Sequence, residues 1–312
     1  MPDQLAYLLN YAVLAPSAHN AQPWRFRIDD RMVSFFKDVS RNRAIADPHG
    51  RETTIAVGAA LLTFQVAISR FGIRHRVEIH DAGNPVALVV AGEGPVESYD
   101  PALFAGIVQR VTCRMGFDET PIPADLQKAM ALDADVEGAN LSLVLGDESK
   151  SSLAALIAEA DRVQFSDSQF RQEHAKWVRN ADAHDQVGTA DEGAAGFFST
   201  MFRSLGSGGS RAAKDEKLAT DAPLLGVIST PGDDQDDWIK AGCALQRVLI
   251  RAAAAGFSSS MLNQPVEVAS MRPAVSSAVG RRDYAQLIFR MGRAPRDIPH
   301  APRRPVGEVL DA

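Results

Sequence analysis

The chain has 312 residues, of which 46% are hydrophobic and 23% charged, and it carries a formal net charge of −6 at pH 7. This composition is ordinary for a globular protein. The acidic balance, with no basic stripe interleaved with aromatic residues, argues against nucleic acid as a partner. No apolar run reaches the roughly 20 residues that span a bilayer, so no membrane partner is expected. The two cysteines, Cys113 and Cys243, are isolated, which predicts neither a disulfide framework nor a metal site and fits a cytoplasmic location.

The apolar periodicity predicts alternating helices and strands along the whole chain. Residues 3–14 have helical spacing, and the alternating stretch 24–36 around Asp29 and Asp30 predicts a β-hairpin. A long helix, buried on most sides, is predicted over 53–72. The later predicted elements are strands at 75–80 and 85–92, a helix at 123–132, a strand at 139–146, helical residues 149–180 with a break near 166–168, a strand at 222–230, a helix at 233–258 and a strand at 284–292.

The chain contains a weak internal repeat. Gly58 and Gly72 are 14 residues apart, as are Gly242 and Gly256, and the two pairs are related by an offset of 184. Apolar positions upstream of these glycines match at a smaller offset, 117. Because the offset grows from 117 to 184 between the two regions, the second copy is 67 residues longer than the first, and it contains an insertion at about 185–218. We therefore predict an α+β fold of two fused halves, 1–108 and 109–312. Each half is expected to be an antiparallel or mixed sheet flanked by helices, and the pair to have a pseudo-two-fold arrangement.

Two segments that differ between the copies contain the candidate site residues. In the extended stretch R-x-T-x-R, the side chains of Arg110, Thr112 and Arg114 point the same way and suit a phosphate dianion. A solvated basic turn is the alternative. Arg303 and Arg304 form a second candidate clamp, for which a charged tail is the alternative.

These segments resemble a known family. The stretch "APSAHNAQPWRF" is similar to the A-P-S-x-x-N-x-Q-P-W segment of FMN-dependent nitroreductases. The stretch "QRVTCRMGF" resembles their phosphate segment, with Val111 replacing one arginine, and "LIFRMGRAP…PRRPVGEVL" resembles their closing strand and basic tail. The order of these motifs resembles the single-chain, tandem Acg-like branch of the family, in which a lid covers the flavin.

The resemblance implies a role for each part in binding FMN. Pro16, Ser17 and Asn20 would approach the flavin, and the R-x-T-x-R segment would hold its phosphate. The stretch "SMLNQP" would place backbone N–H groups near the flavin N5, although Asn263 and Gln264 stand where many members have Glu-Gly. For His19, a hydrogen bond to the flavin and one within the turn are both open, whereas Trp24 is expected to pack in the core. The implied cofactor-binding residues are Pro16, Ser17, His19, Asn20, Gln22, Arg110, Thr112, Arg114, Met261, Leu262, Asn263, Gln264, Arg303 and Arg304.

The implied activity is two-electron reduction of a nitroaromatic or a quinone with NAD(P)H. The alternative is an FMN-storage protein whose lid blocks access of the nicotinamide. The apolar cluster Phe197, Phe198, Met201 and Phe202, within the insertion, is the candidate underside of that lid. One FMN is expected per chain, so a monomer would suffice for the site, while a homodimer stays open.

Overall fold

The computed structural model describes residues 1–95, 98–179 and 208–311, so the predicted lid cluster lies outside the described residues. The described part is an α+β fold with two sheets, as predicted. Its helices are α1 (Pro2–Ala12), α2 (Arg51–Arg70), α3 (Pro101–Gln109), α4 (Ala124–Val136), α5 (Asp147–Ser166), α6 (Ser168–Arg179), α7 (Gly208–Thr220), α8 (Gln235–Ala254), α9 (Gln264–Glu267), α10 (Arg272–Ala278) and α11 (Val306–Val309). Its strands are β1 (Trp24–Asp29), β2 (Met32–Lys37), β3 (His75–Ile79), β4 (Ala87–Ala91), β5 (Asn140–Val144), β6 (Leu224–Thr230), β7 (Ser258–Met261), β8 (Tyr284–Gly292) and β9 (Leu310–Asp311).

The two sheets share one strand order. The first sheet has the order β3-β4-β2-β1 with β9 added at its edge, and the second has the order β7-β8-β6-β5. Each run is antiparallel, and its strands follow one another along the chain in equivalent positions. A long helix, α2 or α8, comes between the second and third strands of each sheet.

The two long helices form the centre of the molecule. Eighteen of the twenty residues of α2 are buried, because this helix packs against α8 and against the first sheet. By length and composition alone α2 could cross a bilayer, contrary to the expectation from the sequence. Most of it is nevertheless enclosed within the protein, as in the core helix of a globular domain.

Helix ends follow ordinary capping chemistry. Helix α8 begins after Asp234, whose carboxylate accepts a hydrogen bond from the Asp237 N–H in a capping box. The sequence predicted Asp236 or Asp237 near the start of this helix, and both residues lie in its first turn. The predicted break near 166–168 is confirmed, since α5 ends at Ser166 and α6 begins at Ser168.

Several elements were not predicted from the sequence, and of these α7, β7 and α9 contribute residues to the site. Helix α3, strand β7 and helix α10 contain few residues with a distinctive periodicity, and none was predicted. The end of the chain was predicted as a basic tail, but β9 pairs in parallel with β1 of the first sheet. The tail therefore returns to the first half of the chain and passes over the polar turn that follows α1.

Candidate active site

A cavity of about 250 Å³ lies where segments from both halves of the chain meet. Its size is near the lower end of small-molecule pockets, which span roughly 300–1,000 Å³. The lining comes from the turn after α1, the start of α2, the segment 110–114, helix α7 and the connection from β7 to α9. Ten of the predicted residues line it: Pro16, Ser17, His19, Arg110, Thr112, Arg114, Met261, Leu262, Asn263 and Gln264.

The polar turn after α1 is held in an uncommon backbone conformation. His19, Asn20 and Gln22 have φ values of 52°, 57° and 51°, in the left-handed region that costs non-glycine residues roughly 1–2 kcal/mol each. Hydrogen bonds within the turn compensate part of that cost, since the Gln22 N–H donates to Ser17 Oγ at 2.9 Å. The turn projects Pro16, Ser17 and His19 into the cavity.

Asn20 and Gln22, which the resemblance implies as cofactor-binding residues, contact the C-terminal tail. Both are buried, and neither lines the cavity. The Asn20 amide donates to the Pro302 carbonyl at 3.0 Å, and Gln22 Oε1 accepts from the Arg304 N–H at 2.8 Å. These side chains therefore fasten the C-terminal tail onto the turn.

The segment 110–114 is extended and lies beside β7. Thr112 forms a parallel bridge with Ser259, and the Cys113 N–H donates to the Ser259 carbonyl at 3.0 Å. Arg290 of β8, which sequence reasoning missed, is almost fully buried. Its guanidinium donates to the carbonyls of Cys113 and Met115, both at 2.9 Å, and so holds the segment in place.

The arginines of this segment have few partners. Within the described part of the chain, Arg114 makes no hydrogen bond or ion pair, although it is only partly exposed and lines the cavity. Arg110 is buried and donates to the Leu14 carbonyl at 2.9 Å, while its Nε has no partner among the described residues. A buried guanidinium without a carboxylate is costly unless an anion binds to it.

A third guanidinium lies next to Arg110. Arg303 donates to the carbonyls of Leu14 and Ala15 at 3.3 and 3.4 Å, so both arginines share the Leu14 acceptor. Burial and the neighbouring Arg303 lower the pKa of Arg110 to about 9, and burial lowers the pKa of Arg303 to about 10. Arg304 instead lies 3.6 Å from the carboxylate of Asp38 and bonds the Glu308 carbonyl. Arg303 is therefore the tail arginine that adds positive charge beside Arg110, although neither tail arginine lines the cavity.

The opposite side of the cavity is apolar. It is built from the two central helices and from β8, at positions where their buried faces turn toward the cavity. The residues concerned are Ile55, Ala56, Ala59, Leu245, Leu249 and Leu287.

An acidic cluster closes the end of the cavity near α9. The buried Arg43 forms ion pairs with Glu52 and, at 3.0 Å, with Glu267. The Asn263 amide donates to Glu52 Oε1 at 2.9 Å, and Asn263 Oδ1 accepts from the Ile288 N–H at 3.0 Å. Burial and the adjacent Glu267 raise the pKa of Glu52 to about 8. Asn263 therefore lines the cavity, and both polar atoms of its side chain already form hydrogen bonds within the protein.

A histidine and aromatic wall completes the lining, and no sequence motif indicated its members His174 and Phe170. The rings of His19 and His174 meet edge to face with centroids 5.0 Å apart, and His174 stacks on Phe170 at 5.9 Å. Burial and the neighbouring Arg211 and Arg43 lower the pKa of His174 to about 3, and burial also lowers the pKa of His19. Both imidazoles are therefore neutral near pH 7, and neither adds a charge to this wall.

Two curated relatives from Mycobacterium tuberculosis (strain ATCC 25618 / H37Rv) match the chain over nearly its whole length. The protein named "Putative NAD(P)H nitroreductase Rv3131" is 29% identical over an alignment 312 residues long, which covers 97% of this chain and 90% of that protein. The protein named "Putative NAD(P)H nitroreductase acg" is 26% identical over an alignment 320 residues long, which covers 99% of this chain and 95% of that protein.

Other comparisons were more distant. No family model matches the chain. Among solved structures, the FMN-dependent nitroreductase NfnB from Mycobacterium smegmatis in complex with NADPH aligns at 16% identity and a TM-score of 0.44, over 68% of this chain and 97% of that chain. The full-length matches to Rv3131 and Acg agree with the motifs at residues 15–24 and 109–117, and the chain is similar to these two nitroreductase-named proteins over nearly its whole length.

Proposed function

We propose that the cavity binds one FMN per chain and that the protein reduces small electron-poor molecules, nitroaromatics or quinones, with NAD(P)H. The observation that carries this proposal is that three guanidiniums without a carboxylate partner among the described residues lie at a cavity whose opposite side is apolar. Arg110 and Arg114 line the cavity, and Arg303 shares the Leu14 carbonyl with Arg110. FMN has the matching chemistry, since it joins a phosphate dianion to a flat, largely apolar ring system.

The donors near the segment 110–114 suit the phosphate end. Arg114 has no partner in the described part of the chain, and the Nε atoms of Arg110 and Arg303 have none there either. Thr112 adds a hydroxyl between the two arginines of the segment. Guanidinium and hydroxyl donors together bind phosphate oxygens with strong, charge-assisted hydrogen bonds.

The remaining lining suits the ring. The residues Ile55, Ala59 and Leu245 offer an apolar surface, and His19 adds a neutral, planar side chain. Gln264 Oε1 is buried without a hydrogen-bond partner among the described residues, so it is an acceptor that a ligand N–H would satisfy. These features support a heteroaromatic ligand with polar edges.

When bound, FMN would supply the exchange of a hydride between a nicotinamide and the acceptor, which no side chain can perform. The protein's own part is to bind and orient. The arginines fix one end of the ligand, the central helices exclude water from its ring, and Asn263 and Gln264 lie at its polar edge in this proposal. Because one chain contributes all of these residues, a second chain is unnecessary for the site. A cytoplasmic location also belongs to the proposal and fits the two free, buried thiols.

The test measures flavin content and reduction by nicotinamide. Acid extraction of the purified yellow protein should release one FMN per chain, and two per chain would contradict the proposed site. Anaerobic addition of NADPH or NADH should bleach the flavin, and a quinone should restore its colour. Bound FMN that neither nicotinamide bleaches would contradict the reductase and favour the storage alternative.

A further inference from the structure

A carboxyl group that the proposed function does not use lies directly behind the cavity wall. Asp161, on α5, has a fully buried side chain. Among the described residues, neither of its carboxylate oxygens accepts a hydrogen bond of regular geometry, and the polar groups next to it are the Asp215 carboxyl, the Gln264 side chain and Arg211. A buried carboxylate normally accepts several such hydrogen bonds, because burial of an ionised carboxylate without them is strongly unfavourable. This group therefore needs an explanation.

A second carboxyl group connects Asp161 to the cavity. Arg211 Nε lies 3.5 Å from Asp161 Oδ1 and 3.8 Å from Asp215 Oδ2, so the two acids share one guanidinium. The Gln264 amide donates to Asp215 Oδ2 at 3.0 Å. Asp215 lines the cavity and its side chain is 15% exposed, whereas Asp161 lies behind it.

The surroundings favour a proton on this pair. Burial, followed by the neighbouring Asp215 carboxylate, raises the pKa of Asp161 to about 7. Two carboxylates beside one guanidinium ionise in separate steps, since the second negative charge is repelled by the first. The titratable and charged groups that face the pair from the surrounding elements are Arg211 and Lys214 of α7, His174 of α6, Glu267 of α9 and Arg290 of β8.

We propose that Asp161 and Asp215 share a proton and that Asp215 donates it to the acceptor bound in the cavity. This inference rests on the proposed function. Asp215 is the catalytic residue because it faces the cavity, and Asp161 is a positioning residue that keeps the proton on the pair. Gln264 and Arg211 orient Asp215 through the contacts given above.

The proton balance of the proposed reaction calls for such a donor. Reduction of a quinone to a hydroquinone takes up two electrons and two hydrogens. NAD(P)H supplies both electrons and one hydrogen as a hydride equivalent, so one proton must come from elsewhere. The carboxyl O–H bond breaks as a new O–H bond forms on the acceptor oxygen, and water at the exposed edge of Asp215 then returns a proton to the pair.

The kinetic test separates the two half-reactions by stopped flow between pH 5.5 and 9. It compares the FMN-loaded wild type with Asp215→Asn, Asp161→Asn and, as matched control, Glu159→Gln, an exposed residue of the same helix. General acid catalysis contributes about 10²–10⁴-fold, so Asp215→Asn should slow flavin reoxidation by a quinone at least about 100-fold. Asp215→Asn should slow flavin reduction by NADPH far less than it slows reoxidation, and Glu159→Gln should leave both rates unchanged. In the wild type the reoxidation rate should fall above pH 7, and in Asp161→Asn that dependence should be lost.

A second readout does not depend on activity. In the full-length protein labelled with ¹³C at the aspartate carboxyls, one carboxyl should titrate near pH 7, and its signal should be absent from Asp161→Asn. Aspartates that all titrate below about pH 5, or an unchanged reoxidation rate in Asp215→Asn, would overturn the inference. Wild-type protein that NADPH cannot bleach would overturn the proposed function instead, and the carboxyl titration would still decide whether the pair shares a proton.

Discussion

Gly58 of α2 lies directly against the backbone carbonyl of Ile239 in α8, with no room between them for a side chain. The reverse contact is also present, since Gly242 of α8 lies against the Ile55 carbonyl of α2. The offset of 184 in the repeat relates Gly58 to Gly242 and Ile55 to Ile239. The two helices thus meet through equivalent residues, and this close approach holds α2 and α8 together along one side of the cavity.

This contact predicts that Gly242→Ala destabilises the protein. A methyl group there would overlap the Ile55 carbonyl, and overpacking of this kind costs about 1–3 kcal/mol. Thermal unfolding should show a Tm several degrees lower than the wild type. Gly116→Ala is the control, because nothing lies within 4 Å of the added carbon there. Equal melting temperatures for both variants would contradict the prediction and would show that α2 and α8 can move apart to accommodate the methyl group without a loss of stability.

Arg114→Ala should weaken FMN more than riboflavin. The guanidinium has no partner in the described part of the chain and is free to bind a phosphate, and hydrogen bonds to charged groups contribute about 1.5–3 kcal/mol. We therefore expect at least about a tenfold rise in the Kd of FMN. Fluorescence titration of the cofactor-free protein with each flavin measures this, and riboflavin, which lacks the phosphate, is the internal control. Equal losses for both ligands would show that Arg114 is structural.

The two tail arginines should differ in their effect on FMN binding. Arg303 lies beside Arg110, whereas Arg304 lies near Asp38. Removing the charge beside Arg110 should raise the Kd of FMN several-fold, up to about tenfold for a loss of about 1.4 kcal/mol. Arg304→Ala should change the Kd less than Arg303→Ala and should lower thermal stability instead. The same titration ranks the two variants, and the opposite order would contradict the assignment.

His174 should make the protein sensitive to mild acid. Its pKa is lowered to about 3 in the fold, while an unfolded histidine titrates near 6.5. The unfolded state therefore binds the extra proton first, and the stabilisation present above pH 6.5 is lost as pH falls toward 3, by up to about 1.4 kcal/mol per pH unit. His174→Phe should show a smaller drop in Tm between pH 7.5 and 4.5. The surface variant His49→Phe is the control, and an unchanged drop in His174→Phe would place the acid sensitivity elsewhere.

The sequence by itself determined the main elements and much of the cavity lining. Periodicity is a local property of the chain, so the helix at α2, the break between α5 and α6 and the buried strands β6 and β8 followed from it. The motifs around Ser17 and Arg114 indicated candidate site residues, and the structure places both residues in the lining of one cavity. Such motifs can be identified from the sequence because their polar side chains lie close together in a turn or in an extended segment. The division of the chain at residue 108 stays a prediction, although the two sheets share one strand order.

The tertiary structure decided which polar side chains face the cavity and which face the protein. Asn20 and Gln22 stand in the motif beside Ser17, yet left-handed backbone angles place them against the tail, 282 residues further along the chain. Asp161 and Asp215 are separated by a stretch of sequence with no motif, and they meet only because α5 packs against α7. Burial and the distance between charges set the protonation of such groups, and both arise only when distant segments pack together.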